Sequence, residues 1–352
     1  MDISIITVNY YTDQLLPGLI NSLSSQSGTT ECIIVDNSRS IHPDSLPNSP
    51  LSIRIIKSKN IGYGRAINIA LEQSRTKWVL LINPDARLLP GCLENMANAT
   101  KLLDTPLLGP RFYWDDNCDF RMPPALGDHP SLYASCCMAQ QNKLEASLLD
   151  SEWQIHHDYF WKQTSPFQEP FLSGACMLVN TDWFQKANEP VFDEDYFLYY
   201  EDTDLCLRIM KHDMMPIVVP SAGAVHYFNQ APDSEEKKQD LMEKSRITYY
   251  KKHFGSIPRL PKINWLPAKP IPDLDIAGTP PEFPCNFPLN PLTLELAMNP
   301  WFVPFIQTDI SPPGLRLPNE VWKRLAPGPY FARIRHPQLG TLKKWRFVKP
   351  TI

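Results

Sequence analysis

The sequence lacks several features that would assign it directly to a protein class. Lys and Arg number 34 against 38 Asp and Glu, and the formal net charge of −4 leaves no general basic surface to attract nucleic acid. No window approaches the roughly 18 consecutive apolar residues of a transmembrane helix, and no basic leader precedes an apolar run at the N-terminus. We therefore expect a cytoplasmic protein that has no nucleic-acid partner.

Cysteine motifs are also missing. The eight cysteines form no C-x-x-C pair, and several of them lie inside apolar runs such as residues 32–35. Neither a disulfide framework nor a cysteine metal site is indicated by this spacing. We expect reduced thiols, most of them buried.

Proline, by contrast, is abundant. The chain of 352 residues has 36 prolines, about twice the usual share of roughly 5%. Of these, 19 lie between Pro258 and the end of the chain, and only 17 lie in the preceding 257 residues. The composition therefore changes near residue 255, which suits one large domain followed by a smaller one.

The first 103 residues alternate between strand and helix patterns. Short apolar, β-branched runs predict strands at 3–8, 32–35, 53–56 and 78–82, and helical spacing of apolar residues predicts helices at 13–24, 64–73 and 90–103. The order β-α-β-β-α-β-α is typical of a parallel sheet covered by helices. We predict an α/β fold.

The pattern weakens between residues 109 and 170, where we expect loops over a cleft and a helix near 140–149. Apolar order then returns, with a strand at 217–219 and a helix at 234–253. Period-2 alternation at 292–296, 330–335 and 345–348 predicts a small all-β, sandwich-like domain. We divide the chain into an α/β domain at 1–255, a Pro-rich connector at 256–290 and a β-rich accessory domain at 291–352.

Acidic residues follow several of the predicted strands and apolar segments, namely Asp36, Asp85, the pair Asp193–Glu194, and Glu201, Asp202 and Asp204. Ligands of open α/β sheets bind in the crevice at the carboxyl ends of the strands. Each acid alone is more often a cap or turn residue. Together they suggest a nucleotide site.

Residues 60–68 follow a strand and open a helix. The glycines permit close approach of the backbone, the helix N-terminus offers free N–H groups, and Arg65 adds a charge that pairs with phosphate. A dinucleotide-binding fingerprint would require a further glycine where Ile67 stands. The segment is therefore compatible with an anion site and equally with a plain turn.

Six ordered motifs resemble those of the family-2 inverting glycosyltransferases, and most closely the bacterial rhamnosyltransferase-like branch. The resemblance covers residues 3–254, and its motifs stand at 5–10, 35–38, 60–68, 81–86, 174–177 and 192–208. It implies a GT-A fold for this part of the chain. It also implies transfer of a sugar, possibly rhamnose or another hexose, from a nucleotide diphosphate donor to a growing glycan or lipid-linked acceptor in polysaccharide biosynthesis.

The resemblance also implies roles for individual donor-binding residues. It places Thr7, Asn9 and Asp36 around the nucleoside, and Asn60, Gly62 and Arg65 along the ribose and diphosphate. Asn83 occupies the place of the first acid in the family's D-x-D signature, and Asp85 matches the last acid. We expect Asp85 to bind Mg²⁺ or Mn²⁺. Because Asn83 replaces the first acid, and one carboxylate binds a hard cation less firmly than two, we expect this binding to be weaker than with a complete D-x-D signature.

The same resemblance identifies Asp202 as the general base that takes the proton of the acceptor hydroxyl. Glu201 is the alternative base, and an ordinary helix cap is the alternative role for Asp202. We expect the positive end of the helix that begins there to keep Asp202 ionised. His226 is either a further metal or diphosphate ligand or a structural histidine.

Four further features carry predictions of their own, and two of them have two interpretations each. The aromatic residues at 114 and 153–161 either stack on acceptor sugars or pack in a core, and Asp204 and Arg208 are expected to pair on a helix surface. The basic residues of the 235–253 helix either contact an anionic membrane leaflet at its inner face or form a solvated surface. The β-rich end resembles part of a fibronectin type III-like sandwich.

The alternative functions for the whole chain are a nucleotidyltransferase-like enzyme and a non-catalytic glycan-binding scaffold.

Overall fold

The structure is a computed structural model that describes residues 2–350 other than 142, 229, 231, 257–270, 275 and 277. The strands in chain order are β1 (Ile3–Asn9), β2 (Thr29–Asp36), β3 (Ser52–Lys57), β4 (Trp78–Ile82), β5 (Ala86–Leu88), β6 (Leu107–Tyr113), β7 (Phe167–Gln168), β8 (Cys176–Asn180), β9 (Ile217–His226), β10 (Glu282–Pro284), β11 (Thr293–Ala297), β12 (Ile306–Asp309), β13 (Gly314–Arg316), β14 (Gly328–His336) and β15 (Gly340–Lys349). The helices are α1 (Leu16–Ser24), α2 (Tyr63–Leu71), α3 (Cys92–Ala99), α4 (Pro130–Gln141), α5 (Lys143–Lys162), α6 (Thr181–Ala187), α7 (Glu201–Lys211), α8 (Glu235–Phe254) and α9 (Asn319–Arg324).

The chain forms two compact units. The first contains the described residues of Met1–Arg111, Gln163–His226 and Gln230–Pro258, and the second contains those of Phe112–Lys162, Tyr227–Asn229 and Arg259–Ile352. The predicted domain extents of 1–255, 256–290 and 291–352 stay a prediction. They differ from the units in the segment 112–162, and much of the predicted connector, including 257–270, lies outside the described residues.

The first unit is built on a mixed sheet with the strand order β3-β2-β1-β4-β8-β6-β9-β5. Strands β3, β2, β1 and β4 run parallel, whereas β8 pairs antiparallel with β4. Every residue of β1 and β4 is buried, as expected for central strands covered on both faces. The predicted α/β fold is confirmed.

The register of these strands decides which residues share an edge. Asn9 stands opposite Asp36 and Asp36 opposite Lys57, so β1, β2 and β3 end together. β4 ends at Ile82, which pairs with Cys176 at the start of antiparallel β8. The loops after β1, β2 and β4 and the loop before β8 therefore meet at one edge of the sheet.

The segment 109–170 differs from the prediction in part. Residues 114–129 form a loop as expected, but the rest contains the end of β6, helices α4 and α5 and the short strand β7. The 20-residue helix α5 covers most of the one helix that was predicted there. It buries Leu149, Trp153 and Phe160 at helical spacing, a signal that the surrounding aromatic and polar residues obscured.

The second unit contains an all-β region. Strands β12-β11-β14-β15 form a four-stranded antiparallel sheet, and β10 pairs with β13 in a second sheet. Alternate residues such as Leu294, Ile334 and Phe347 enter the core. Arg333, which is fully buried, donates hydrogen bonds to Glu295 on β11 and to Asp150 on α5.

Two further expectations concern the whole chain. All eight cysteines are unpaired, and six of them are buried. Within the described ranges, no helix combines the length and the apolar composition that crossing a membrane requires.

Candidate active site

The end of β1 carries a buried polar network. The amide nitrogen of Asn9 donates to Asp13 Oδ1 at 2.6 Å and to Asp36 Oδ1 at 3.1 Å, and its oxygen accepts from the N–H and hydroxyl of Thr12. Ser40 also donates to Asp13, at 2.7 Å. The predicted pair Asn9 and Asp36 is thus brought together, and Asp13 is a third member that the sequence analysis missed.

Asp36 is fully buried at the end of β2. Burial alone would raise the pKa of its carboxyl, but hydrogen bonds from Ile41 N–H, Ser38 and Asn9 outweigh it and hold the pKa below its usual range. The carboxylate therefore fixes the loop 36–41. Thr7 is also fully buried, and its hydroxyl has no polar partner among the residues that the structure describes.

The loop before α2 packs closely on the segment 192–197. Gly62 has a φ of 92°, and a Cβ on it would lie 2.5 Å from the carbonyl oxygen of Phe197, so only glycine fits. Asn60 accepts a hydrogen bond from the N–H of Gly62 at 3.2 Å. Arg65 is half-exposed and donates to the carbonyl oxygen of Glu194 at 3.2 Å.

Asn83 and Asp85 lie between β4 and β5, where the chain crosses the same edge of the sheet. Asn83 is half-buried, and its backbone N–H donates to the carbonyl oxygen of Ala175. Asp85 is buried with His226 at the end of β9, and Oδ1 lies 3.4 Å from Nε2 of the histidine. Burial would raise the pKa of Asp85, but His226 and hydrogen bonding lower it below its usual value.

This pair fits a divalent cation that shares its coordination with a ligand. A carboxylate oxygen suits Mg²⁺ or Mn²⁺, and an imidazole nitrogen is acceptable to Mn²⁺. The described residues hold no group of three or more His, Cys, Asp or Glu side chains that could enclose a metal by themselves. Asp85 and His226 would therefore leave most coordination positions of a bound cation to ligands from outside the protein.

The acidic pair Glu201–Asp202 begins α7. Tyr199 and Tyr200 precede it with φ values of 71° and 69°, a left-handed backbone conformation that is costly for bulky residues and typical of functional sites. Asp202 is half-buried; Oδ2 accepts the N–H of Gly174 at 2.9 Å and Oδ1 accepts the N–H of Thr203 at 2.8 Å.

The two carboxyl groups of this pair differ in environment. Burial, followed by the charge of Asp202, raises the pKa of Glu201 to about 8, and Glu201 Oε2 has no hydrogen-bond partner among the described residues. Burial also raises the pKa of Asp202, against the hydrogen bonds from Gly174 and Thr203. The expectation that the helix terminus keeps Asp202 ionised is therefore incomplete, because desolvation acts in the opposite direction.

Tyr63 connects the acidic groups and was missed from the sequence. Its hydroxyl donates to the carbonyl oxygen of Gly174 at 3.4 Å. Burial, and then the charges of Glu201, Asp202 and Asp85 among others, raise the pKa of Tyr63 well above its usual value. Its phenol therefore lies within the electrostatic reach of all three carboxylates, which come from two separate segments of the first unit, the β4–β5 loop and the start of α7.

Arg208 and Asp204 pair as predicted, at 2.7 Å, but not on a solvated surface. Asp204 is fully buried and Arg208 is nearly so. The prediction of a surface pair is wrong because the loop before α7 and the end of α8 cover this turn of the helix.

Three of the six Lys and Arg residues of α8 pair with acids on the same helix. Lys244 pairs with Asp240, Arg246 with Glu243, and Lys238 with Glu235. This pattern favours the solvated-surface interpretation. In the second unit, Trp114 and Trp153 are buried in hydrophobic clusters, which favours core packing for these two aromatic residues.

A family model described as "Glycosyl transferase family 2" matches residues 4–187, more than half of the 352 residues. Among characterised relatives, the chain is 27% identical over 237 residues to an N-acetylglucosaminyl-diphospho-decaprenol L-rhamnosyltransferase of Mycobacterium tuberculosis, covering 60% of this chain and 72% of the relative. It is 23% identical over 230 residues to the rhamnosyltransferase WbbL of Escherichia coli, covering 63% and 82%.

A similar solved structure is that of S. aureus TarS residues 1–349 in complex with UDP-GlcNAc. The two structures superpose with a TM-score of 0.44 at 15% identity, over 71% of this chain and 67% of the other.

Proposed function

This chain belongs to glycosyl transferase family 2 and is a glycosyltransferase, and we propose that it transfers a sugar by direct displacement with inversion at the anomeric carbon. The mixed sheet of the first unit is its GT-A domain. One observation carries the proposal: the turn before β8 joins the two carboxylate segments, since the N–H of Gly174 donates to Asp202 and the carbonyl oxygen of Ala175 accepts the N–H of Asn83, two residues before Asp85. This arrangement provides a place for a leaving diphosphate and a base for an acceptor within one site.

Asp202 is the proposed base. Asp202 is half-buried and its carboxylate is anchored by two backbone N–H groups, whereas Glu201 is buried with a pKa of about 8 and holds its proton at neutral pH. Asp202 accepts the proton of the acceptor hydroxyl as that oxygen forms a bond to the anomeric carbon. The bond from this carbon to the diphosphate oxygen breaks, and the nucleoside diphosphate leaves with the electron pair.

The donor is proposed to bind along the edge where the loops after β1, β2 and β4 meet. Asn9 and Asp36 shape the nucleoside end through the network with Asp13, and Arg65 lies on the half-exposed start of α2, where its charge suits a diphosphate. The full set proposed to bind or shape the donor site is Thr7, Asn9, Asp36, Asn60, Gly62, Arg65 and Asn83.

Asp85 and His226 are the residues that would hold Mg²⁺ or Mn²⁺. When bound there, the cation supplies positive charge to the leaving diphosphate as a Lewis acid. The 3.4 Å contact between Asp85 Oδ1 and His226 Nε2 supports this assignment, because the two donor groups already converge.

The names of the relatives suggest the substrate class. Both of those described above are rhamnosyltransferases, and one is named for a decaprenol-linked diphosphate acceptor. We propose rhamnose or another hexose as the donor sugar and a lipid-linked or growing glycan of polysaccharide biosynthesis as the acceptor. Contact with the inner face of the membrane from the cytoplasmic side is part of this proposal.

The all-β region is proposed to be a fibronectin type III-like accessory module at 291–352, behind a transferase domain at 1–255 and a connector at 256–290. The antiparallel order β12-β11-β14-β15 and the alternating core residues support this interpretation.

The test is a transfer assay with the purified full-length chain, nucleoside-diphosphate sugars and a short polyprenyl-diphosphate N-acetylglucosamine acceptor, with Mn²⁺, Mg²⁺ or EDTA. We expect release of nucleoside diphosphate and a glycoside whose anomeric configuration is opposite to that of the donor. Retention of configuration or release of inorganic pyrophosphate would overturn the proposal. A failure to bind any nucleoside diphosphate, with or without Mn²⁺, would favour the scaffold alternative.

A further inference from the structure

A cluster of side chains, most of them buried, surrounds the buried Asp204, one turn into α7. Oδ2 accepts the Nε of Arg208 at 2.7 Å. Oδ1 accepts Nζ of Lys252 at 2.6 Å, Nε2 of His253 at 2.7 Å and the hydroxyl of Tyr196 at 3.2 Å. We call these four donors and Asp204 the Asp204 clasp. Burial would raise the pKa of Asp204, but these donors hold it far below its usual range.

The clasp joins three segments of the first unit. Arg208 lies on α7 and also donates to the carbonyl oxygens of Pro190 and Val191, at the start of the loop that leads to Glu201. Lys252 and His253 come from the last turn of α8, and Lys252 also pairs with Asp193 in the loop. The last turn of α8 therefore contacts both α7 and the loop that precedes it.

His253 is oriented for this contact. Nζ of Lys211 lies 2.8 Å from Nδ1 of His253, and because a lysine ammonium can only donate, Nδ1 is the acceptor. Nε2 then carries the ring proton and donates it to Asp204. The side chain of His253 is 1% exposed, whereas that of Lys252 is 31% exposed.

The position of Asp204 gives the clasp an electrostatic consequence. Glu201 and Asp204 stand at i,i+3 on α7, so their side chains share one face of the helix, and the charge of Asp204 disfavours ionisation of Glu201. Glu201 and Asp202 in turn repel each other's charge and titrate as a pair. A cation bound to Asp204 reduces the negative potential at this pair.

We propose that Lys252 and His253 are positioning residues for the acidic pair Glu201–Asp202: the ammonium of Lys252 neutralises Asp204 and the neutral ring of His253 holds it by a hydrogen bond, so that one carboxylate of the pair ionises at neutral pH while the turn that carries it stays in place. The inference rests on the proposed function, since it assumes that the pair contains the base. It gives the end of α8 a role in the reaction without contact to substrate.

Other groups also act on this pair. Tyr63 on α2 and Tyr199 in the preceding loop interact with Glu201, and Cys206 on α7 interacts with Asp202. Around Asp204, the further groups are Asp193 in the loop and Arg208 on α7. None of these groups changes in a variant of Lys252, so a shifted pH profile reports the lost charge.

The test measures kcat against pH for full-length Lys252→Met, with Lys252→Arg as the conservative variant and Lys251→Met as the matched control. Lys251 is exposed on the same turn, so its variant removes an equal charge from outside the clasp. We expect Lys252→Met to shift the acidic limb of the kcat–pH profile to higher pH by about half to one unit. This shift corresponds to a three- to tenfold lower kcat at a given pH on that limb. Lys252→Arg and Lys251→Met should retain the wild-type limb.

A second variant separates charge from packing. Asp204→Asn with Lys252→Met removes both charges of one ion pair, so the acidic limb should return toward that of the wild type. If Lys252→Met proves unstable, His253→Gln, which keeps a donor for Asp204, should keep the wild-type limb, while His253→Leu should shift it upward. An unchanged limb in Lys252→Met or His253→Leu, or an equal shift in Lys251→Met, overturns the inference. Absence of transfer by the wild type would instead overturn the proposed function.

Discussion

The backbone N–H of Gly174 donates a 2.9 Å hydrogen bond to Oδ2 of Asp202, which lies 28 residues later in the chain. A Cβ on Gly174 would lie 3.2 Å from both Cβ and Oδ2 of that aspartate. The absence of a side chain before β8 therefore allows the carboxylate to approach the backbone. This contact sets where the proposed base stands.

Gly174→Ala should lower kcat by about ten- to a hundredfold, because displacing a catalytic group by a fraction of an ångström to about 1 Å has effects of this order. Donor binding should remain, and it is measured as the thermal shift with nucleoside diphosphate. Gly109→Ala is the matched control, since its Cβ would meet Leu172 at the same 3.2 Å and should affect stability but leave Asp202 in place. Equal kcat losses in the two variants would contradict a specific role for the Gly174 contact.

The buried carboxyl of Glu201 predicts a stability that falls as pH rises. Its pKa in the folded chain is about 8, above the value of about 4.3 expected when unfolded. The folded state therefore binds more protons between these values, and its contribution to stability is present below about pH 4.3 and lost as pH rises through about 8. The slope is at most about 1.4 kcal/mol per pH unit.

Glu201→Gln removes this titration. The free energy of unfolding of the wild type should decrease, relative to that of the variant, between pH 5 and pH 8 in denaturant titrations. Parallel pH dependences in the two proteins would show that Glu201 is not protonated in the folded chain.

The proposed metal pair predicts a specific loss of binding. Asp85→Asn should remove most of the Mn²⁺-dependent increase in thermal stability that a nucleoside diphosphate produces, because a ligand stabilises a protein according to its affinity. A tenfold weaker complex corresponds to about 1.4 kcal/mol. Asp104→Asn changes an exposed aspartate and should leave the increase intact. A full Mn²⁺-dependent shift in Asp85→Asn would exclude Asp85 as a ligand.

His157 on α5 predicts an acid-sensitive second unit. It is 1% exposed and lies 4.7 Å from the ring of Phe305, and neither ring nitrogen has a hydrogen-bond partner in the described part of the chain. Burial, with the nearby charges of Arg121, His156 and Arg335, lowers its pKa to about 3. Its contribution to stability is present above about pH 6.5 and is lost as pH falls toward 3.

His157→Leu should therefore flatten the loss of unfolding free energy between pH 7 and pH 5, measured by denaturant titration at both values. The comparison uses the difference between the two pH values, so the packing cost of the substitution cancels. A variant that loses as much stability on acidification as the wild type would contradict a neutral buried His157.

Apart from the short strand β5, the strands and helices of the first 103 residues could be predicted because their signals are local. Apolar runs mark β1, β2 and β4, and helical spacing marks α1 and α2. The same local patterns place Asn9, Asp36 and Asp85 at strand ends, where parallel register brings them to one edge.

The rest of the site depends on contacts between distant segments. Tyr63 reaches Gly174 across 111 residues, and Asp204 is buried by a helix end 48 residues away. Nothing in the spacing of Asp204 and Arg208 distinguishes a buried ion pair from a surface one. Likewise, α5 carries aromatic and charged residues whose periodicity becomes clear only when its buried face is known.

The most direct test of the central claim compares transfer rates of Asp202→Asn and Glu201→Gln with that of the wild type near pH 7. Loss of the base should lower kcat of Asp202→Asn by about a hundred- to ten-thousandfold while the donor still binds. Glu201→Gln resembles the protonated carboxyl and should stay within about tenfold of the wild type. Near wild-type turnover by Asp202→Asn, or a greater loss in Glu201→Gln, would contradict the assignment of Asp202 as the base.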